Sequence, residues 1–377
     1  MTKIKQSTAT TRRKFLGGAA VAGVATIAMP QVSRAQTVTL KMQSGFGATD
    51  PLNEFGVNYA QKVNEMGGGR LKIDYLNAGA VVKPFSVLDA TSQGVLDGNW
   101  SVPAYWYGKH RAASLFGTGP CYGQTASNFM GWFYYGGGQA LYDELTQKIL
   151  GLDVQGFYAF AMPTQPLGWF KKEVKSPDDF KGLKYRTVGL ASNVMQAMGA
   201  SVAQLPGPEI LPAMEKGVIE AFEYNNPTSD MRFGAQDVAK YYYLGSYHQA
   251  SEAIEVVYNK KKWDGMAKEQ QQILKLAAMA SNSDNIWHAW DMYSKDLETL
   301  QSKGIVVKRT PESIFKAQLT AWDKVVDQIS SDSNQGAFIK KVLESQKAFF
   351  KRVAFYNINN EADYKSAWEH YFGPMKV

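Results

Sequence analysis

A single cysteine, Cys121, cannot close a disulfide within the chain, so nothing here reads as a stapled secreted scaffold. It is expected to be an apolar filler rather than a reactive thiol. The four histidines, His110, His248, His288 and His370, are scattered, and none has the paired spacing of a zinc site. No nucleophile elbow, phosphate loop or dinucleotide fingerprint occurs. Gly136-Gly137-Gly138 is not followed by Lys-Ser/Thr and reads as a turn. No stretch reaches the ~18 consecutive apolar residues of a membrane span.

Excess charge is missing too, once its location is considered. The formal net charge is +7, but Lys3, Lys5, Arg12, Arg13, Lys14 and Arg34 stand in a leading segment without an acid. Removing those six charges leaves +1, which gives no nucleic-acid footprint. The same segment holds Arg12-Arg13-Lys14-Phe15-Leu16, a short Gly/Ala-rich apolar run to Met29, and Ser33-Arg34-Ala35. This is the pattern of a twin-arginine signal peptide over residues 1–35, cleaved near Ala35, and it places the mature protein in the periplasm.

What remains is an α/β chain long enough for two units. Val38–Gln43, Leu71–Tyr75 and Gly98–Val102 read as strands. Helices over Asp50–Met66, with Asp50 as N-cap and Pro51 at its first position, and over Pro84–Val95 separate them. This β-α-β-α-β start predicts a parallel sheet. A helix over Asn128–Leu150 and a strand over Val154–Phe160 follow. The pattern then repeats: strand Leu183–Arg186, helix Leu190–Met198, strand Ser201–Gln204, helix Pro208–Lys216 and strand Ile219–Glu223. The strand Ala253–Asn259 can return to the first sheet. Helices over Lys262–Tyr293, Pro311–Ile329 and Gln335–Lys351 complete the chain. Two α/β units joined by crossing segments leave a cleft, where ligands of such folds bind.

Arg186 closes one of these strands, and its planar fork of donors suits a carboxylate. Taken alone, it reads as a surface residue or half of an internal ion pair before it reads as an anion anchor. Together, Ala80–Phe85, Ala104–Lys109, Tyr134–Gly138, Gly168–Glu173, Asp178–Arg186 and Gly217–Ala221 resemble the extracytoplasmic solute receptors of tripartite ATP-independent periplasmic (TRAP) transporters. The run Phe222-Glu223-Tyr224 resembles their 2-oxo acid and monocarboxylate branch. The resemblance spans the mature chain. It implies a two-lobed periplasmic binding protein fold with a helical C-terminal region. It assigns 36–161 with 250–285 to lobe I, 162–249 with 286–345 to lobe II, and 346–377 to a C-terminal extension.

By that resemblance, Arg186, Gln165, Tyr224 and Tyr105 meet the substrate. Gln165, Glu223, Tyr224 and Gln249 would hold a metal ion, Na⁺ or Ca²⁺, with no organic cofactor. Two positions depart from the branch. Tyr224 stands where tryptophan is usual, and Gln249 stands where a second acid is usual. An amide brings no charge, so a monovalent ion or none is expected. The implied partners are a small organic anion, the small and large membrane subunits of the transporter, and a second copy of the chain through C-terminal helices. Two other classes fit the same cleft. An exported lyase or hydrolase is disfavoured by the missing acid/base pair. The receptor of an ATP-driven importer lacks here the lipoprotein cysteine common among them. A sulfonate or aromatic acid is an alternative ligand for the receptor.

Overall fold

The computed structural model describes residues 37–375; the twin-arginine leader lies outside them. The chain opens as the alternation of apolar residues requires. Strand β1 (Val38–Ser44) is followed by helix α1 (Pro51–Met66) and strand β2 (Leu71–Leu76). Asp50 caps α1 by accepting from the Leu52 amide at 2.9 Å, and Pro51 supplies the first helical φ. Leu52, Phe55, Tyr59 and Val63 form its buried stripe.

Helix α2 (Val87–Ser92) is shorter than expected, since a 3₁₀ turn takes up Pro84–Ser86. Strand β3 (Gly98–Ser101) then pairs parallel to β1. The expected helix over 128–150 is broken into α3 (Ala126–Tyr135), α4 (Gly138–Asp143) and a π-helical turn over Glu144–Ile149. Gly137 at φ +89° makes the break, a conformation that side chains rarely adopt. Strand β4 (Val154–Met162) ends the first run.

The chain then crosses to a second sheet. It is built from β5 (Gly168–Phe170), β6 (Lys184–Arg186), helix α5 (Leu190–Ala197), β7 (Ser201–Ala203), α6 (Gly207–Glu215), β8 (Ala221–Phe222), α7 (Pro227–Phe233) and β9 (Tyr241–Leu244). It returns as β10 (Glu252–Asn259), which lies antiparallel between β3 and β4 as anticipated. After α8 (Lys260–Asp264) the long α9 (Lys268–Ser302) packs on α1 and β4 at one end and on α7 at the other. Strand β11 (Val306–Arg309) joins β9. Helices α10 (Glu312–Ser330), α11 (Gly336–Asn360) and α12 (Tyr364–Phe372) finish the chain.

The strand orders are β2-β1-β3-β10-β4 and β11-β9-β5-β8-β6-β7. Each sheet has its own apolar core, which makes the fold two-lobed. Helix α10 packs on α5 beside the second sheet, while α11 packs on α3 and α4 beside the first. Val325 and Ile329 join the cluster of Trp132, Phe133 and Tyr158.

A buried carboxylate crosses the first core. Glu255 accepts from Trp106 Nε1 and the Tyr142 hydroxyl, both at 2.6 Å. Burial raises its pKa from 4.5 to about 7 against those two donors. Below about pH 4.5 the group is neutral folded or unfolded; between there and 7 only the unfolded chain ionises, so stability falls as pH rises and levels off above 7. Glu255→Gln removes the ionisable group while its amide oxygen can accept from Trp106 Nε1 and its N–H can donate to the Tyr142 hydroxyl. It is expected to match the parent in melting temperature at pH 4 and to exceed it at pH 8, by up to ~3 kcal/mol. Parallel melting curves at the two values check this.

Candidate functional site

Two segments carry the chain between the lobes, 163–167 outward and 245–251 back, and they bond to each other. The Gln165 amide donates to the Gln249 carbonyl at 3.1 Å, and Thr164 Oγ1 donates to the Ala250 carbonyl at 3.0 Å. The crossings therefore bring Gln165 and Gln249 together. Gln165 Nε2 donates in turn to Glu252 Oε2 at 2.5 Å. Glu252 is the first residue of β10 and pairs with Met162, so it belongs to the first sheet.

From the second sheet come Arg186, at the end of β6, and Glu223, just past β8. The parallel pairing of these strands sets Arg186 beside Phe222, which brings Glu223 to the guanidinium. Arg186 Nη1 donates to Glu223 Oε1 at 3.0 Å and to the Glu223 carbonyl at 2.7 Å, while Nε donates to the Leu205 carbonyl at 2.9 Å. None of these bonds uses Nη2. Both side chains are almost fully buried, at 2% and 1% exposed. Sequence alone left Arg186 open between an ion pair and an anion anchor; here it makes the ion pair and keeps donors in reserve.

Tyr224 follows on the same strand exit. Its ring lies under Arg186, with the guanidinium carbon 5.7 Å from the centroid, and stacks on Phe233. Gly207 makes room for it, since a Cβ there would come within 2.9 Å of the ring. The Tyr224 hydroxyl reaches across to Asp50 Oδ2 at 2.8 Å, and Ser229 donates to Asp50 Oδ1 at 3.0 Å. Arg232 pairs with Glu54 at 2.6 Å, and Tyr107 donates to Asn193 at 2.8 Å. These bonds join the lobes and hold the cleft shut. A cavity of about 120 Å³ lined by Asp50, Gly207, Tyr224 and Arg232 adjoins the clasp.

The aromatic run 105–107 divides its roles. Trp106 is a core residue bonded to Glu255, and Tyr107 spans the lobes. Tyr105 packs against Phe85 with the rings tilted and their centroids 4.5 Å apart, and it feels the charges of Arg186, Glu252, Asp50 and Glu223. Burial is the main cause that keeps its phenol protonated.

Two amide oxygens at the crossings, Gln165 Oε1 and Gln249 Oε1, have no partner, while Glu223 Oε2 has only the Thr187 hydroxyl near it. Buried polar atoms are rarely left so, and hard oxygens of this kind suit Na⁺ or Ca²⁺. Among the described residues no three of His, Cys, Asp or Glu converge, so any ion here relies on amide as well as carboxylate oxygens. Burial first, then the charge of Glu223, raises the Glu252 carboxyl from 4.5 to about 8. Glu223 is raised by burial and held down in part by Arg186.

Two residues were missed in the sequence. Asp50 was read only as a helix cap. Glu252 fell one residue before the expected strand, although a carboxylate at the head of so apolar a strand was a visible signal. A carboxylate that the motifs do not include, Glu252, stands three residues after Gln249 and accepts from Gln165.

The sequence matches bacterial extracellular solute-binding protein family 7 (DctP) across residues 44–332. The chain belongs to that family. It is 33% identical over 368 residues to the monocarboxylate 2-oxoacid-binding periplasmic protein of Nostoc sp. (strain PCC 7120), covering 94% of this chain and 98% of the relative. Its fold matches a TRAP periplasmic solute-binding protein of Colwellia psychrerythraea with bound calcium and pyruvate, at TM-score 0.80 and 27% identity, covering 89% of this chain and 100% of the other. A second, from Pseudoalteromonas atlantica T6c with bound sodium and pyruvate, matches at TM-score 0.79 and 27% identity over 90% and 100%. Family members are solute-binding receptors that work with TRAP membrane subunits. Among the described residues no helix is long and apolar enough to cross a membrane.

Proposed function

We propose that this receptor captures a small monocarboxylate, a 2-oxo or 2-hydroxy acid, and delivers it to the small and large TRAP membrane subunits. The observation that carries the reading is the buried Arg186–Glu223 pair, set between the lobes among unpartnered oxygens. Arg186 turns its free donors to the ligand carboxylate, a charge-assisted contact strengthened by the exclusion of water. Tyr224 and Tyr105 wall the pocket. Gln165, Glu223 and Gln249, with the Tyr224 backbone, would hold a cation whose charge draws the ligand's second oxygen. Ligand bound in this way favours the shut cleft, because the Asp50 and Arg232 contacts form only there. The lobes comprise 36–161 with 250–285 and 162–249 with 286–345, and 346–377 forms a C-terminal helical extension.

A thermal-shift screen on mature protein stripped of ligand by unfolding and refolding tests this. A 2-oxo or 2-hydroxy monocarboxylate at ~100 times its dissociation constant should add ~2.7 kcal/mol. A comparable shift from sulfonates or aromatic acids, with none from monocarboxylates, would transfer the assignment to those ligands.

Export by the twin-arginine route with cleavage near Ala35 belongs to the same proposal, as does a homodimer. Phe355, Tyr356, Ile358, Tyr364, Tyr371 and Phe372 are exposed on α11 and α12, an apolar surface larger than a lone chain usually shows water. Light scattering should find the mass of two chains, falling to one when the chain is cut after 345. A single-chain mass for the full protein would reject the dimer.

A further inference from the structure

We propose that Gln318 and Trp322 are positioning residues for capture: from helix α10 they pin the return crossing 245–251 and so hold the two crossings in register. The inference rests on the receptor reading above and names what sets its hinge. The buried residues Ile314, Gln318, Trp322, Val325 and Ile329 recur every three or four positions, which is one face of α10. Among the buried residues of that helix only Gln318 carries an amide. At 0% exposure it must spend that amide on partners. Its Nε2 donates to Ser246 Oγ at 2.7 Å, and its Oε1 accepts from the Tyr247 amide at 2.8 Å. Trp322, one turn on, donates Nε1 to the Tyr247 carbonyl at 2.6 Å. Both main-chain groups of Tyr247 are thereby taken by α10. Ser246 Oγ also bonds His248 Nδ1 at 2.5 Å, which carries the hold to the residue before Gln249.

The pin sits where it can govern the hinge. Two residues beyond Tyr247, the Gln249 carbonyl accepts from the Gln165 amide of the outward crossing. At its first turn α10 places Ile314 in the core of the second sheet. At its far end, the turn into α11 is bonded to the other side of the cleft. Gln335 Oε1 accepts from the Arg111 amide at 3.0 Å, and Asp332 pairs with Arg111 at 3.6 Å. Arg111 lies between β3 and β4 of the first sheet. One helix thus has a hold on each side of the cleft and on the segment that joins them. Opening the cleft must turn about the Gln318 and Trp322 bonds or break them. A crossing already held in its bound form does not have to be ordered by the ligand, and apparent affinity rises with the fraction of chains so held.

Two variants test this. Gln318→Met keeps the volume and removes both amide bonds, while Trp322→Phe keeps a ring in place and removes one donor. Each is compared with the parent by pyruvate calorimetry in calcium-containing buffer, by hydrogen exchange of the Tyr247 amide in unliganded protein, and by melting temperature. Both should speed the exchange and weaken pyruvate, by about 10-fold for Gln318→Met and by less for Trp322→Phe. Leu319→Ala, on the exposed face of the same helix, should change neither. A merely structural part for the two residues predicts lower melting temperatures with pyruvate affinity unchanged, and that result would overturn the proposal. Weakened binding without faster exchange at Tyr247 would overturn it too. A parent that binds no small monocarboxylate, with exchange raised in both variants, would sink the receptor reading and leave the pin on the crossing standing.

Discussion

Arg186→Lys is expected to weaken monocarboxylate binding roughly 30-fold or more while the protein stays folded. The estimate corresponds to ~2 kcal/mol or more for disturbing a buried, hydrogen-bonded charge contact. Lysine keeps the positive charge that Glu223 needs, at 1% exposure, but cannot reproduce the fork. It cannot bond the Leu205 carbonyl and the Glu223 carboxylate, as Arg186 does through Nε and Nη1, and still offer a coplanar donor to a ligand. Arg186→Ala is a blunter tool. It would strand the Glu223 carboxylate without its partner, at a cost of ~3–5 kcal/mol in folding. Isothermal titration on the lysine variant separates recognition from stability; unchanged affinity would remove Arg186 from the site.

The second large effect is expected at Asp50. Its carboxylate takes one hydroxyl from Tyr224 and one from Ser229, both across the cleft, and the Leu52 amide of its own helix. Asp50→Ala leaves two buried hydroxyls without an acceptor in the shut form only. Ligand affinity should fall by about 10- to 100-fold, the equivalent of one or two charge-assisted bonds. Solution scattering should show ligand-saturated Asp50→Ala more expanded than the saturated parent. The helix cap is lost as well, worth ~1 kcal/mol in stability, but that loss falls on both open and shut forms. Tyr224→Phe removes one of the two bonds and leaves the cap. A double-mutant cycle with Asp50→Ala should give a coupling of ~1 kcal/mol or more, and additive effects would mean that the two do not act together.

Much of this was legible before any coordinates. The β-α-β-α-β opening followed from apolar alternation and from Asp50-Pro51, because local signals alone set those elements. The return of β10 was legible because an apolar strand after a long excursion has few other places to go. Short strands were legible only in part: β6, β7 and β8 fell within expected strands, between helical stretches that mark them off. Gly168–Phe170, Tyr241–Leu244 and Val306–Arg309 lack such flanks and are strands because the second sheet offers them partners. The helix expected over 128–150 failed at Gly136 and Gly137, where aromatic helical spacing continues on both sides of a left-handed turn.

The site divides in the same way. Arg186, Gln165 and Glu223 lie on motifs; Arg186 meets Glu223 because β6 pairs with β8, and Gln165 meets Gln249 because the crossings pair with each other. Asp50 and Glu252 come from elsewhere, one as a helix cap and one as a strand head. Their part emerges only when the first sheet is laid against the second. A residue's chemistry can be read from its type, but its neighbours across a cleft cannot. Glu252, bonded to Gln165 from the head of β10, is one such neighbour.

Calorimetric titration of ligand-stripped mature protein with pyruvate, in calcium-containing buffer, tests the central claim most directly. The account predicts saturable binding of one pyruvate per chain, lost or severely weakened in Arg186→Lys. Folded protein that binds neither pyruvate nor any other small monocarboxylate would contradict it.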